Sequence, residues 1–538
     1  MTLRDLPKCE TSGSARRASN RFQALLTLFR LKERILVRSS AFRPFWILFC
    51  IKAGENTGLF TSSSIMLLLA FRLALCLGIV LPKVTASTSP KKIYGVNLGS
   101  WQVAEPWMFP EEWKAMGGEK CNSCTDCIAS EFAFAKAYPN DVDAKFKKHW
   151  QTWFTKADVD RLKSLGINTA RVPLGWWIVE GLVDRKTEFF PRGGLLELRR
   201  GLAELSEAGI TAVLDLHAAP GVQRPNEMWS GHCTEDVQFY TPKNYHRALV
   251  WAAVMTTLSH VDPAFNSVFA IGSANSPLPD ATKTPGYAEY VKNFVLVVRL
   301  IESVFGIDAN SPVIPKLTSY GDKNITYAFD DACKQDHVIT SYPPEVIKAV
   351  LASIPLVGEI ITDIIKDESC FKIPNTVNRQ PLIASVLDAA MQKNSKSNPK
   401  EAAIGPTVFD HHLFFADDSS GKPVNATPEG WLTAICNSDV IDDMAVLGNF
   451  PLWFGEWTLA TSLGQAETEK FLRDYGDAQK LLYGKSLGWV YWAYKVEKSI
   501  GAVWSYTAAV DKGLLTKDPS KVFNKDVCKP YIKKKDSY

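Results

Sequence analysis

The feature that most constrains the fold is an alternation of short strand-like segments with longer helix-like segments, which begins near residue 90. Runs of β-branched and aromatic residues between turn residues are typical of strands, and an apolar period of 3.6 residues is typical of helices. This alternation predicts parallel strands that are joined by helices. The eight predicted strands are Ile93–Leu98, Asn168–Val172, Ala212–Leu216, Val268–Ala274, Val313–Leu317, Thr407–Leu413, Pro451–Glu456 and Trp489–Trp492.

Helix-like stretches lie between these strands. They are Lys156–Leu165, Leu195–Ala208, Tyr245–Leu258, Tyr287–Phe305 and Thr468–Leu482, and Gly209 follows the second as a helix stop. Eight strands with intervening helices predict an α/β fold, a (β/α)8 TIM barrel within residues 87–538. Residues 341–405 break the rhythm, which predicts an insertion between the fifth and sixth strands. The insertion contains the apolar helical stretch Val346–Ile365 and the polar tract Gln392–Lys400.

Composition and charge exclude several classes of protein. Hydrophobic residues make up 46% of the chain and charged residues 22%, which excludes global disorder and a bundle of membrane spans. The net charge of +4 over 538 residues is too small to indicate a polyanionic partner, so we expect no nucleic acid.

The N-terminal region predicts an export signal. The apolar run from Met66 ends in the small-residue spacing Val84-Thr85-Ala86, which predicts a signal peptide over residues 66–86. Residues 1–65 are basic and irregular and predict a disordered or untranslated extension. The alternative is that residues 65–82 remain as a signal-anchor, in which case that segment alone would contact a membrane. Arg72 in its middle argues against stable spanning.

The cysteine count agrees with export. Eight of the eleven cysteines follow the predicted cleavage site: Cys121, Cys124, Cys127, Cys233, Cys333, Cys370, Cys436 and Cys528. An even number in an exported chain predicts disulfides, whose connectivity the sequence leaves open. Zinc binding by the first three is a weaker alternative because no clustered histidine supplies a fourth ligand, and we expect neither a metal nor a cofactor. The sequons at Asn324 and Asn425 predict a secreted glycoprotein.

Several polar or aromatic residues fall on the predicted strands or at their ends. In a TIM barrel the functional side chains lie at the C-terminal ends of the strands. Any one such residue is most often structural, but their coincidence predicts a site there. These residues are Glu105, Arg171, Asp215, His217, Asn275, His411, His412, Glu456 and Trp492.

Six ordered sequence blocks carry a family resemblance. They are YGVNLGSWQVAEPW (94–107), INTARVPLGWW (167–177), VLDLHAAPGVQ (213–223), VFDHHLFF (408–415), FGEW (454–457) and GWVYWAYKVE (488–497). Over residues 93–500 the chain resembles the fungal exo-β-1,3-glucanases of glycoside hydrolase family 5. The resemblance implies a retaining (β/α)8 glycosidase that acts on β-glucan, with Glu456 as the nucleophile.

The resemblance also implies the roles of other residues. It implies that four of them hold the sugar and the carboxylates in subsite −1, which binds the sugar whose bond is cleaved: Arg171, His217, Asn275 and His412. Trp492 would form the floor of this subsite, and Glu105 would bind sugar hydroxyls. A retaining enzyme needs a second carboxyl about 5–5.5 Å from the nucleophile, which protonates the leaving oxygen and then activates water.

That second carboxyl is missing. The family has Asn-Glu-Pro at the end of strand four, whereas this chain reads Asn275-Ser276-Pro277. A serine hydroxyl is not a general acid near neutral pH. The family's His-x-Tyr is also changed, since Phe414 replaces the phenol at this substrate-binding position. Asp280 is a poor substitute because it lies four residues beyond Ser276.

The sequence therefore predicts a secreted, cell-wall-associated protein that is related to family 5 and acts on or binds fungal β-1,3-glucan. Weak or absent hydrolysis of natural glucan is expected from the loss of the acid/base. The alternatives are a non-catalytic glucan-binding pseudoenzyme and a transglycosylase. A structural wall protein without a sugar site is disfavoured, because it would not explain why the strand-end residues occur together.

Overall fold

The computed structural model describes residues 89–305, 307, 342–367, 380–387, 405–414, 427–464 and 467–532. The described residues all belong to the compact unit Leu68–Tyr538. The predicted signal segment, both sequons, Cys333, Cys370 and the polar tract Gln392–Lys400 lie outside the described residues.

Eight parallel strands form a closed barrel in sequence order. The strands are β1 (Ile93–Asn97), β2 (Thr169–Gly175), β3 (Thr211–Ala218), β4 (Val268–Gly272), β5 (Ile383–Leu387), β6 (Thr407–His412), β7 (Leu452–Glu456) and β8 (Gly488–Tyr491). The barrel closes where β1 pairs with β8 in parallel. The predicted TIM barrel is confirmed, and seven of the eight strands lie where the sequence placed them, within a few residues.

The prediction of the fifth strand at Val313–Leu317 is wrong. The structure places β5 at Ile383–Leu387, paired with β4 and β6, and residues 313–317 lie outside the described residues. Both segments are short and apolar, so periodicity did not separate them. Pro315 is the difference that matters, because proline cannot donate to the ladder of a central strand. An insertion remains between β5 and β6, but it covers only residues 388–406.

Helices follow most of the strands. They are α1 (Pro110–Met116), α2 (Glu131–Ala137), α3 (Val142–Trp153), α4 (Lys156–Ser164), α5 (Gly194–Ala208), α6 (Pro242–Val261), α7 (Tyr287–Val304), α8 (Pro344–Asp367), α9 (Pro428–Cys436), α10 (Val440–Val446), α11 (Glu469–Tyr483) and α12 (Tyr506–Asp511). The five predicted helices are confirmed, and α5 ends at Gly209 with φ 75°. Within the described ranges, no helix combines the length and apolar character that a bilayer crossing requires.

A buried ion pair aligns the strands around the long connections. Arg299 on α7 donates to the backbone oxygens of Leu382 and Pro406, at 2.9 and 2.7 Å. Glu302 on the same helix pairs with Arg299 and accepts from the Leu382 amide at 2.6 Å. These contacts hold the residues immediately before β5 and β6, so both strands begin at defined points although long segments separate them.

The two-residue period of the strands separates an apolar layer from a polar one inside the barrel. An apolar cluster is formed by side chains from six strands: Ile93, Val213, Phe269, Val408, Trp453 and Val490. On β3, Asp215 and His217 follow Val213 at steps of two residues and so share its face. On β6, Asp410 and His412 follow Val408 in the same way. The polar residues are therefore stacked above the apolar cluster, at the C-terminal end of the barrel.

Candidate active site

Glu456 is the carboxylate around which the polar cluster is built. It ends β7, is 6% exposed, and its Oε1 accepts from Arg171 Nη1 at 2.8 Å. Its Oε2 lies 3.6 Å from His412 Nδ1. The preceding residue must be Gly455, because a Cβ there would lie 2.0 Å from Asp410 Oδ1. The absence of a side chain at position 455 thus leaves room for the Asp410 carboxylate beside β7.

Arg171 on β2 connects the cluster. Its Nη1 also donates to Asn97 Oδ1 at 2.9 Å, and its Nη2 donates to Asn275 Oδ1 at 3.0 Å. Nη2 lies 3.0 Å from Asp215 Oδ2, and Nε lies 3.7 Å from Asp410 Oδ2. Burial disfavours its charge, but the neighbouring carboxylates outweigh burial and raise the pKa of Arg171. The guanidinium therefore stays charged and compensates several buried carboxylates at once.

His412 lies between two carboxylates. Its Nδ1 faces Glu456, and its Nε2 lies 3.5 Å from Asp410 Oδ2. Burial opposes protonation, but the charges of Glu456 and Asp410 outweigh it and raise the pKa of the ring. His411, the adjacent residue, faces the other way and contacts Phe454 edge-on. Only His412 belongs to the cluster, as the alternation of side chains along β6 requires.

His217 forms one wall of the site together with Trp492. The two rings stack with centroids 5.4 Å apart and planes 10° apart. His217 Nδ1 lies 2.8 Å from Asp215 Oδ2. Burial raises the pKa of Asp215, but the charges of Arg171 and His217 outweigh this effect, and the pKa is lowered overall. Asp215 is therefore ionised and fixes the orientation of the His217 ring.

Glu105 is a buried carboxyl that is neutral at pH 7. Its Oε2 accepts from Trp107 Nε1 at 3.0 Å, and its Oε1 lies 3.8 Å from His217 Nε2. Burial raises the pKa of Glu105 to about 8, and the charges of Glu456 and Glu227 act in the same direction. Below that pH Glu105 carries a proton that it can donate to a sugar hydroxyl.

The turn after β4 carries Ser276 at the position of the expected acid/base. Ser276 is half-buried and has φ 38°, a left-handed conformation that costs a non-glycine residue about 1–2 kcal/mol. Among the described residues its hydroxyl has no hydrogen-bond partner. Asp280 accepts from the amide and the hydroxyl of Thr282, at 3.0 and 2.7 Å. It therefore caps its own loop.

Two residues hold this turn from behind, and we call them the Gln223–Tyr240 clamp. Gln223 Nε2 donates to the backbone oxygens of His217 and Asn275, at 2.6 and 3.1 Å. The Tyr240 hydroxyl donates to the backbone oxygen of Gln223 at 2.8 Å and accepts from the Leu278 amide at 2.7 Å. The backbone is thus fixed on both sides of the strained residue, which is how such strain persists.

A disulfide-linked wall borders the site on the β3 side. Cys124 pairs with Cys233, and Cys121 pairs with Cys127. Trp229, four residues before Cys233, contacts His217 edge-on with centroids 5.7 Å apart. Because all three sulfurs of the cysteine cluster are in disulfides, they are not thiolates that could bind zinc. A third disulfide joins Cys436 to Cys528.

Most of the residues singled out from the sequence lie together in this structure. Contacts join Glu105, Arg171, His217, Asn275, His412, Glu456 and Trp492. Phe414 is half-buried against the main apolar core, and within the described part of the chain it makes neither a polar nor a ring contact with the cluster. Sequence reasoning missed Asp410, Asn97 and the Gln223–Tyr240 clamp. Strand phase would have revealed Asp410, which shares the face of His412.

The sequence comparisons point to glucan glucosidases, although no family model matches the chain. "Glucan endo-1,6-beta-glucosidase B" of Emericella nidulans is 27% identical over 450 residues, which cover 81% of this chain and 88% of that protein. "Probable glucan endo-1,6-beta-glucosidase B" of Neosartorya fischeri is 36% identical over 243 residues, 44% of this chain and 59% of that protein. "Glucan 1,3-beta-glucosidase" of Blumeria graminis is 30% identical over 191 residues, 35% of this chain and 41% of that protein.

The comparison of structures concerns the fold. A rutinosidase from Aspergillus niger superimposes with a TM-score of 0.50 at 17% identity, and the match covers 79% of this chain and 97% of that protein. The two proteins thus share the barrel fold. In sequence, the chain is similar to the glucan glucosidases named above.

Proposed function

We propose that the protein is a secreted β-glucan-binding glycoside hydrolase of the retaining type, in which Glu456 is the nucleophile and the acid/base is absent. The observation that carries this proposal is the contrast between two strand ends. Glu456 is held by Arg171 at 2.8 Å, whereas the turn after β4 presents Ser276. Hydrolysis of ordinary glucan is expected to be weak because general acid–base catalysis contributes roughly 10²–10⁴-fold.

Three features support a sugar as the ligand. The His217–Trp492 wall offers aromatic surface to a pyranose ring. The neutral Glu105 carboxyl supplies a donor, and Asn275 supplies a further polar group beside Arg171. We assign substrate-binding roles to these residues and to His412, and we keep Phe414 as a candidate position at the edge of the site.

The glucan linkage is tested with two polymers. The resemblance seen in the sequence favours 1,3-linked glucan, whereas the relative that aligns over 81% of this chain is named for 1,6-linked glucan. The three disulfides among the described residues support export, and the proposal extends to a location at the cell wall, where the glucan lies.

The test compares substrates that differ in their need for a proton. The full chain is incubated with 2,4-dinitrophenyl β-glucoside, whose leaving group departs as a stable phenolate, and with 1,3- and 1,6-linked glucans. We expect release of dinitrophenolate from the aryl glucoside. We expect kcat/KM on both glucans to be at least about 100-fold lower than kcat/KM on the aryl glucoside. Comparable efficiency on aryl glucoside and glucan would contradict the proposal.

Glu456→Gln separates this function from the alternatives. The variant is expected to lose dinitrophenolate release while it still binds gluco-oligosaccharides, as measured by calorimetry. If the wild-type protein binds these oligosaccharides but never releases dinitrophenolate, the purely binding pseudoenzyme is the correct description. If oligosaccharides of increased length form from glucan, the transglycosylase is correct.

A further inference from the structure

We propose that the site transfers glucosyl groups between acidic aglycones, namely thiols, phenols and carboxylic acids, in preference to alcohols and water. The inference rests on the proposed function, because it requires Glu456 as the nucleophile. It goes further in naming the substrate class, which is glucosyl conjugates whose aglycone departs as a stable anion and needs no proton.

The half of the site that forms a glucosyl ester is complete. Arg171 donates to Glu456 at 2.8 Å, and His412 flanks the other carboxylate oxygen at 3.6 Å. Asn97 and Asn275 hold the guanidinium in place, at 2.9 and 3.0 Å. None of these contacts involves the side chain at position 276. Glu456 is therefore oriented for attack whatever residue occupies the acid/base position.

The general acid/base that would protonate the leaving group and then activate the acceptor is not present at position 276. Among the described residues, no carboxyl group hydrogen-bonds to Ser276, and its own hydroxyl has no partner there. Asp215 and Asp410 are engaged by the Arg171 guanidinium, and Asp280 caps a neighbouring loop. Glu105 accepts from Trp107 and lies beside His217, and among the described residues it makes no hydrogen bond to Ser276. An alcohol or water needs a base to attack the ester, which is worth roughly 10²–10⁴-fold. A thiolate, phenolate or carboxylate needs none.

The charge of the cluster favours the same choice once the ester has formed. In the free protein Asp215, Asp410 and Glu456 surround one guanidinium, so an incoming anion meets net negative charge. Ester formation removes the Glu456 charge, while Arg171 and His412 stay beside that side chain. Like charges nearby disfavour an anion, so the loss of one carboxylate charge lowers the repulsion that an anionic acceptor meets. An anionic acceptor is thus opposed less after the donor has reacted than before.

The chemistry balances without an added oxidant or metal. A carboxylate oxygen of Glu456 attacks C1 of the donor, and the C1–oxygen bond breaks with its electron pair on the departing phenolate. The acceptor thiol loses its proton to the buffer before it reacts. Its sulfur then attacks C1, the C1–Glu456 bond breaks, and the carboxylate is regenerated. Two inversions give a thioglucoside of the β configuration.

The test uses a matched pair of acceptors. The full chain is incubated at pH 8 with 2,4-dinitrophenyl β-glucoside and either benzyl mercaptan or benzyl alcohol, which differ only in sulfur and oxygen, and the products are quantified by mass spectrometry. We expect the thioglucoside to exceed the glucoside by at least about tenfold. In Ser276→Glu the preference should fall or reverse, because the restored carboxyl activates the alcohol.

A second measurement needs no variant. Azide, an anion at neutral pH, should yield β-glucosyl azide and increase the release of dinitrophenolate. Equal transfer to mercaptan and alcohol, or release of dinitrophenolate without any azide adduct, would overturn this inference and leave Glu456 as the nucleophile. Absence of dinitrophenolate release under all conditions would overturn both this inference and the proposed function.

Discussion

The most direct test of the site is to place a carboxyl at position 276. In Ser276→Glu the new side chain starts from a turn that is already fixed by the Gln223–Tyr240 clamp. It projects from the end of β4, the strand from which the family resemblance expects the acid/base. We predict that the variant hydrolyses natural glucan at least about tenfold faster than the wild type.

The magnitude follows from two terms. General acid–base assistance is worth roughly 10²–10⁴-fold, or about 3–5 kcal/mol of the barrier. The left-handed backbone at φ 38° opposes Ser and Glu alike, because both carry a Cβ, so it subtracts little from the gain. The charge of three nearby carboxylates, Asp215, Asp410 and Glu456, opposes ionisation of the new group. That effect favours the protonated form that the first step needs.

The assay is kcat/KM on 1,3- and 1,6-linked glucan, with Ser276→Gln as the matched control. Glutamine has the length of glutamate but no titratable proton, so it should show no gain. For the dinitrophenyl glucoside, kcat/KM should change only slightly, because it reports formation of the ester, a step in which the leaving group needs no acid. Adding Tyr240→Phe, which deletes the hydroxyl that holds Leu278, should reduce the gain of Ser276→Glu.

The reasoning is refuted if Ser276→Glu folds, binds gluco-oligosaccharides as the wild type does, and shows no gain on either polymer. Cooperative thermal unfolding and calorimetric binding establish the first two conditions. In that case the loss of activity would lie elsewhere in the site, and Phe414, which replaces the expected phenol, would be the next position to change.

Three further predictions test the surroundings of the site. Arg171→Met should lower the free energy of unfolding by about 3–5 kcal/mol in denaturant titrations because it leaves buried carboxylates unpaired. The control is Lys470→Met, which removes an exposed ion pair with Asp474 and should cost less than about 1 kcal/mol. Affinity for gluco-oligosaccharides should fall as the pH rises through about 8, where Glu105 loses its proton; calorimetry on Glu105→Gln should show no such fall, and equal slopes would contradict the assignment. Replacing Cys124 and Cys233 by serine should raise KM more than it lowers kcat because the wall beside His217 loosens; unchanged KM would contradict this.

The barrel was predictable because its strands are short apolar runs with clear boundaries, and because strand ends fix where polar side chains gather. The error at β5 shows the limit of this reasoning. The segments around Val313 and Ile383 are both short and apolar, and pairing with β4 and β6 identifies the second as β5. Proline within the first segment was the one local signal against it.

The side chains that meet in the site were predictable where their position follows from the alternation of faces along a strand. Arg171 lies within β2, whereas His217, His412 and Glu456 lie at or next to the C-terminal ends of their strands. The structure joins these four residues. The Gln223–Tyr240 clamp was not predictable, because its hydrogen bonds go to backbone oxygens and amides whose positions depend on the paths of two loops. The same holds for the Cys124–Cys233 pairing, since sequence does not choose among the possible disulfides.

The central claim is that Glu456 attacks the sugar although position 276, where the family resemblance expects the acid/base, carries a serine. The most direct measurement is mass spectrometry of the protein after incubation with 2,4-dinitrophenyl β-glucoside, followed by proteolysis. The account predicts a glucosyl ester that accumulates on the peptide containing Glu456 in the wild type, declines in Ser276→Glu, and is absent in Glu456→Gln. A glucosyl group on another carboxylate, or dinitrophenolate release that persists in Glu456→Gln, would contradict it.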